Sequence, residues 1–206
     1  MISKTSWKTI AIVISLAFVF LGVTVYSQTA NMLIEGTIPD SKLFDGAAKV
    51  SVRELTIKPG EELPLHYHPG HVFIVVKSGT LTVEDGCGGE KKLTPGQGLE
   101  EMNGRVHRGK NVDATDVVVY DIFITEPGKP TTVTIPANER RCGPPKDVEE
   151  CRNDGWRRFN HPRSFSNQGR CVDFVRHMPR TYSSSRRMLF NDLRHDRSSA
   201  HATVHS

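Results

Sequence analysis

His66-Tyr67-His68 is the segment whose residue types and spacing most directly suggest chemistry. In an extended chain residues i and i+2 point to one face, about 6–7 Å apart along the backbone. Two imidazoles so placed can converge on one ion at about 2.0–2.1 Å per nitrogen. Alone the pair is weak evidence, because the chain has nine histidines. The downstream order carries more information. Gly60 precedes His66, and Gly79 follows His68 by eleven residues. Gly96, Met102, Asn103, Gly104, His107 and Asn111 then come in that order.

This arrangement resembles the paired motifs of the cupin superfamily, in particular its small bacterial single-domain members. These have a glycine-punctuated His-x-His segment followed by Pro-x-Gly-x-x-His-x-x-x-Asn. The interval between the two, residues 80–95, is 16 residues and falls in the short bacterial range. The resemblance covers residues 47–136 and implies an all-β barrel of the jelly-roll, or double-stranded β-helix, type. It also implies a metal site built from His66, His68 and His107. Two departures stand out. Met102 occupies a position that is usually proline, and Val72 falls where the family's glutamate ligand is expected, seven residues before Gly79. Strand parity puts Val72, Ile74 and Val76 inward and points His71 the other way. His71 follows the Pro69-Gly70 turn and is a candidate additional ligand only if that turn swings it inward. Glu100 and Glu101, beside Met102, read as a solvated strand end.

Three neutral imidazoles leave coordination positions open for water or substrate. They suit a divalent transition metal (Fe, Zn, Ni, Mn or Cu) without choosing among them. Without an ion, three histidines in a barrel lined by valine and isoleucine would each need partners for both ring nitrogens. The resemblance therefore implies a metal-binding cupin-domain protein with a small-molecule ligand or substrate in the barrel. A metal-dependent oxygenase or isomerase is one alternative, since three-histidine iron sites of thiol dioxygenases also lack the glutamate. A non-catalytic extracellular binding module is another. Tyr67 and Phe73 point outward by parity and suit an outer core or a homodimer interface.

The elements that must hold these residues read as short strands between Gly/Pro turns. Expected strands are 50–57, 63–68, 72–77, 80–84, 91–93, 117–125 and 131–135. Strands at this spacing, with no helical stripe of useful length, indicate an all-β sandwich or barrel. Residues 28–46 show no strong period and read as a lead-in, and 137–150 reads as a linker.

The flanks differ from the barrel in composition. Residues 28–138 have 11 Lys and Arg against 15 Asp and Glu, whereas residues 139–206 have 14 against 8. Thirteen of those 14 are arginine. Because acids are mixed with the bases, the balance does not point to nucleic acid. Residues 1–27 read as a signal peptide or N-terminal anchor, with Lys4 and Lys8 before the apolar run 10–25 and small residues before Gln28. The chain is therefore expected to be exported, with membrane contact only if that segment is retained. In an oxidising compartment cysteines read first as disulfide candidates. Residues 151–177 resemble a short motif at the ends of exported bacterial proteins, with Cys151, Gly155-Trp156 and Asn167-Gln168-Gly169-Arg170-Cys171. The resemblance implies a Cys151–Cys171 bridge, around which Trp156, Phe159, Phe165 and Phe174 would form a small apolar core. Cys87 sits in a Gly-rich hairpin, and Cys142 is the one cysteine left to pair with it. Residues 178–206, rich in Ser, Arg and His, read as a disordered tail.

Overall fold

The computed structural model describes residues 29–178. The expected signal or anchor (1–27), and all of the expected tail beyond Met178, lie outside the described residues. Ten strands form in chain order: β1 (Thr29–Ser41), β2 (Gly46–Ile57), β3 (His66–Tyr67), β4 (His71–Ser78) and β5 (Leu81–Asp85), then β6 (Glu90–Leu93), β7 (Gly98–Glu101), β8 (His107–Lys110), β9 (Val117–Thr125) and β10 (Val133–Thr134). They make two five-stranded antiparallel sheets, ordered β1-β2-β9-β4-β7 and β10-β3-β8-β5-β6.

The period of two along β9 shows why these residues form a barrel wall. Buried and half-buried positions alternate through Val117, Val119, Asp121, Phe123 and Thr125. β4 alternates in the same way, with Val72, Ile74 and Val76 buried. Side chains that point inward from both sheets meet in one apolar cluster, including Leu55, Ile57, Ile74, Leu81, Leu93 and Val119. Burial of that cluster is the main favourable term holding the sheets face to face.

Three elements differ from the sequence reading. The lead-in forms the long strand β1, paired with β2 along its length. Its residues are exposed almost throughout, so no alternation of burial is written into their types. Second, the expected strand 63–68 pairs as a ladder only at His66–Tyr67. Pro64 and Pro69 bracket it, and neither can donate a backbone hydrogen bond. Third, β7 and β8 are short strands without a β-branched run, and neither was anticipated.

Gly70 marks where the β3–β4 turn closes against β9, the strand beside β4. A Cβ there would stand 2.4 Å from the carbonyl oxygen of Ile124 and 2.7 Å from Thr125 Cγ2. Gly70→Ala is therefore expected to push β4 off β9 and to cost about 1–3 kcal/mol by overpacking. Urea unfolding followed by circular dichroism checks this, and an unchanged midpoint would mean that the backbone yields there without strain.

The segment expected as a linker lies against the barrel. Cys142 bonds Cys87, across 55 residues of sequence, and Val106 N–H donates to Gly143 O at 2.9 Å. Beyond it come two 3-10 turns, Glu149–Cys151 and Gly155–Arg158, and one helix, α1 (Gln168–Arg176). Asn167 caps α1, its Oδ1 accepting from Arg170 N–H at 2.9 Å, as a residue before the first turn of a helix should. Cys151 bonds Cys171, and both are buried with Phe159 and Phe165; Trp156 and Phe174 pack on this cluster half-buried. No helix among the described residues is long and apolar enough to cross a membrane.

Candidate metal centre

Two short strands of one sheet bring the histidines together. His66 on β3 pairs directly with His107 on β8, so their side chains share a face. His68, two residues on, returns to that same face. The three rings lie 4.5–5.1 Å apart between centroids. One nitrogen from each falls within 4.8 Å of the others, and all three residues are buried.

The backbone fixes which nitrogen faces inward. His66 Nδ1 lies 2.7 Å from Pro64 O, His68 Nδ1 2.7 Å from Thr131 O, and His107 Nδ1 2.8 Å from Arg105 O. A carbonyl oxygen only accepts, so each Nδ1 carries the proton and donates it. Each neutral ring then presents its Nε2 lone pair to the interior. Three such lone pairs facing one another suit a shared cation and little else. The structure therefore positions His66, His68 and His107 to bind a metal ion.

The remaining motif residues hold this arrangement from below. Gly60 N–H donates to Asn111 O at 2.9 Å. Asn111 Nδ2 donates to Ile57 O at 2.9 Å and to Thr115 O at 2.8 Å. The end of β8 is thus tied to the end of β2. Nearer the histidines, Gly104 N–H donates to His68 O at 2.8 Å.

Two acids stand beside the cluster, one set aside in the sequence reading and one not considered there. Glu101, expected on a solvated strand end, turns its side chain inward, leaving it 8% exposed. Its Oε2 lies 3.0 Å from His68 Nε2 and its Oε1 lies 3.0 Å from His107 Nε2. The His107 contact is close but off line, and His107 Nε2 makes no aligned hydrogen bond although buried. Asp121 is buried, held by Arg53 Nε at 2.7 Å. His71 faces the other way, its ring 5.9 Å from that of Phe44. Tyr67 lies outside the barrel, 4.8 Å from the His161 ring.

These neighbours set the charge states. Burial, and then the charges of His107 and His68, push the His66 imidazole down to about 3, so it is neutral at ordinary pH. Burial disfavours charge on His107, but Glu101 beside it outweighs burial and raises its pKa. Burial likewise favours a neutral Glu101. His107 and His68 outweigh it and hold that carboxyl well below the usual range. For Asp121 burial prevails over Arg53 and raises the pKa. The centre therefore combines an anionic carboxylate with a neutral His66 and a His107 whose protonation Glu101 favours; an ion that replaces that proton meets three imidazole nitrogens and a carboxylate, a donor set that fits a divalent cation.

The cavity above these groups is small, about 30 Å³, and is lined by Arg53, Asp121 and Phe123 as well as by the histidines and Glu101. That is room for about two waters.

Residues 53–123 match the family model described as the cupin domain. The chain carries a cupin domain. All three histidines, Glu101 and Asp121 lie within the matched stretch. Several solved structures are similar to this chain. A protein with a double-stranded β-helix domain from Klebsiella pneumoniae is 20% identical; the match covers 54% of this chain and 81% of that one, with a TM-score of 0.43. A cupin-like protein from Thermotoga maritima is 18% identical, covering 52% and 75%, with a TM-score of 0.40. A sugar phosphate isomerase of the cupin superfamily from Silicibacter pomeroyi is 22% identical, covering 43% and 58%, with a TM-score of 0.38. No curated protein matches the chain.

Proposed function

We propose that this protein is an exported cupin that binds a divalent transition metal (Fe, Zn, Ni, Mn or Cu) through His66, His68 and His107, with a small-molecule ligand reaching the metal through the barrel. The observation that carries the reading is the common tautomer: all three Nδ1 atoms donate to backbone carbonyls, leaving three Nε2 lone pairs on one point. A bound divalent ion would polarise an oxygen-containing ligand or lower the pKa of a coordinated water. Around it, the protein's own residues exclude bulk water and fix the ring orientations. The small cavity favours a ligand of a few heavy atoms, and Arg53 supplies a cation at its wall. Export is supported by the two disulfides, which persist in oxidising compartments. Pairing of two copies is supported by exposed Met32, Leu33, Ile34 and Ile38 on the edge strand β1, since an open sheet edge is a ready pairing surface.

Elemental analysis of the purified protein tests the central part. About one equivalent of a divalent transition metal per chain is expected, falling to background in the His66→Ala/His107→Ala variant. Stoichiometric metal retained by that variant would sink the three-histidine site.

A further inference from the structure

The carboxylate that Val72 fails to supply is present one strand away. On the β4–β7 ladder Val72 stands directly opposite Glu101. Directly opposed residues of an antiparallel pair project from the same face of the sheet, with Cβ atoms about 4.5–5.5 Å apart. An acid at position 101 therefore enters the barrel beside the place where one at position 72 would enter. The side chain is 8% exposed, and each of its two oxygens meets a different imidazole at 3.0 Å. The nitrogens that it meets, Nε2 of His68 and Nε2 of His107, are those left as lone pairs by the Nδ1 hydrogen bonds. Carboxylate oxygens this close to the ring nitrogens need a positive charge between them, which a proton supplies in the free protein and a metal ion would supply in the loaded one.

The other candidates are accounted for. Glu100 pairs with Phe73 on the outward face of the same ladder. His71 packs on Phe44 outside the barrel, and Asp121 is engaged by Arg53 at 2.7 Å.

We propose that Glu101 is a fourth protein ligand of the metal, a carboxylate moved from β4 to β7 across the ladder. The inference rests on the three-histidine reading and deepens it. The centre becomes three imidazoles and one carboxylate, with one negative charge to set against the divalent ion. Such a set binds harder cations, manganese and iron included, better than three imidazoles alone.

Two variants and two metals test this. Zn²⁺ affinity is measured by competition with a chromophoric chelator, and the visible absorption of Co²⁺-loaded protein is recorded, for wild type, Glu101→Gln and Val72→Glu/Glu101→Val. Loss of a residue that merely orients a ligand costs about 10–100-fold in metal affinity. Glu101→Gln is expected to lose at least about 100-fold and to shift the Co²⁺ bands. Val72→Glu/Glu101→Val is expected to recover most of the affinity by restoring the acid on β4. Wild-type Zn²⁺ affinity together with an unchanged Co²⁺ spectrum in Glu101→Gln overturns the proposal. If the double variant does not fold, Glu101→Gln decides alone. An unaltered Glu101→Gln beside a metal-free His66→Ala/His107→Ala overturns only the fourth ligand. A wild-type protein that takes up neither metal overturns the three-histidine reading and this proposal together.

Discussion

Arg105→Ala is expected to lower stability by about 3 kcal/mol and to weaken metal binding by about tenfold or more. Arg105 Nη1 donates to Pro144 O at 2.8 Å and to Glu150 Oε2 at 2.9 Å, and Nη2 donates to Asp85 Oδ2 at 3.0 Å. One guanidinium thus joins the β5–β6 hairpin to the segment that leaves the barrel. Burial disfavours its charge, but Glu150 and Asp85 outweigh burial and raise its pKa. Removing one partner of a buried pair strands the other, at about 3–5 kcal/mol. The lower end applies, because Arg158 and Lys146 remain 3.5 and 3.6 Å from Glu150. The metal effect follows from position, since the Arg105 carbonyl accepts the Nδ1 proton of His107. A looser Arg105 frees that ring to turn. Arg105→Lys should recover little, since an ammonium lacks the planar fork that reaches several acceptors at once. Urea denaturation and a chelator competition read the two effects separately. Wild-type values in both would mean that the backbone holds His107 without help from this side chain.

Removal of the Cys87–Cys142 bridge should have the largest effect on stability, about 4 kcal/mol. Its 55-residue separation sets that value through the loop entropy of the unfolded chain. For a chain of this size the loss corresponds to roughly 10 °C in Tm. The bridge fixes the segment around Gly143 against Gly86 and Val106, one residue before His107. Cys87→Ser/Cys142→Ser should therefore lower both Tm and metal affinity. The Cys151–Cys171 bridge closes a shorter loop of 20 residues, worth about 3 kcal/mol. It lies among Phe159, Phe165 and Trp156, in the same apolar cluster as Cys142, but its second anchor is α1 rather than the barrel. Its removal should lower Tm and leave metal affinity intact. Differential scanning calorimetry and metal titration of the two double variants separate these outcomes, and equal losses of metal affinity in both would contradict the assignment.

Glycine and histidine offsets were enough to read the barrel and its three-imidazole face, because turns that need glycine and ligands that share a strand face leave fixed spacings. Parity also placed Val72 inward and His71 outward. Glu101 was hidden for a physical reason. Gly98-Leu99-Glu100-Glu101 has no β-branched or aromatic residue, so β7 does not look like a strand, and without that strand nothing pairs position 101 with position 72. An acid next to a turn then reads as solvated. Asp121 was hidden differently: it interrupts an apolar run, and its partner Arg53 lies 68 residues away in sequence. β1 left no pattern because almost none of its residues is buried. For Glu101 and Asp121, what the sequence did not convey was a pairing between strands distant along the chain.

The central claim is that His66, His68 and His107 hold one metal ion through their Nε2 atoms. X-ray absorption fine structure of the Zn²⁺-loaded protein tests it most directly, because imidazole rings add a multiple-scattering signature that other ligands lack. The account predicts a first shell of nitrogen and oxygen at about 2.0–2.1 Å with three imidazoles, and loss of bound Zn²⁺ in His66→Ala/His107→Ala. A shell with no imidazole scattering, or an unchanged spectrum in that variant, would contradict it.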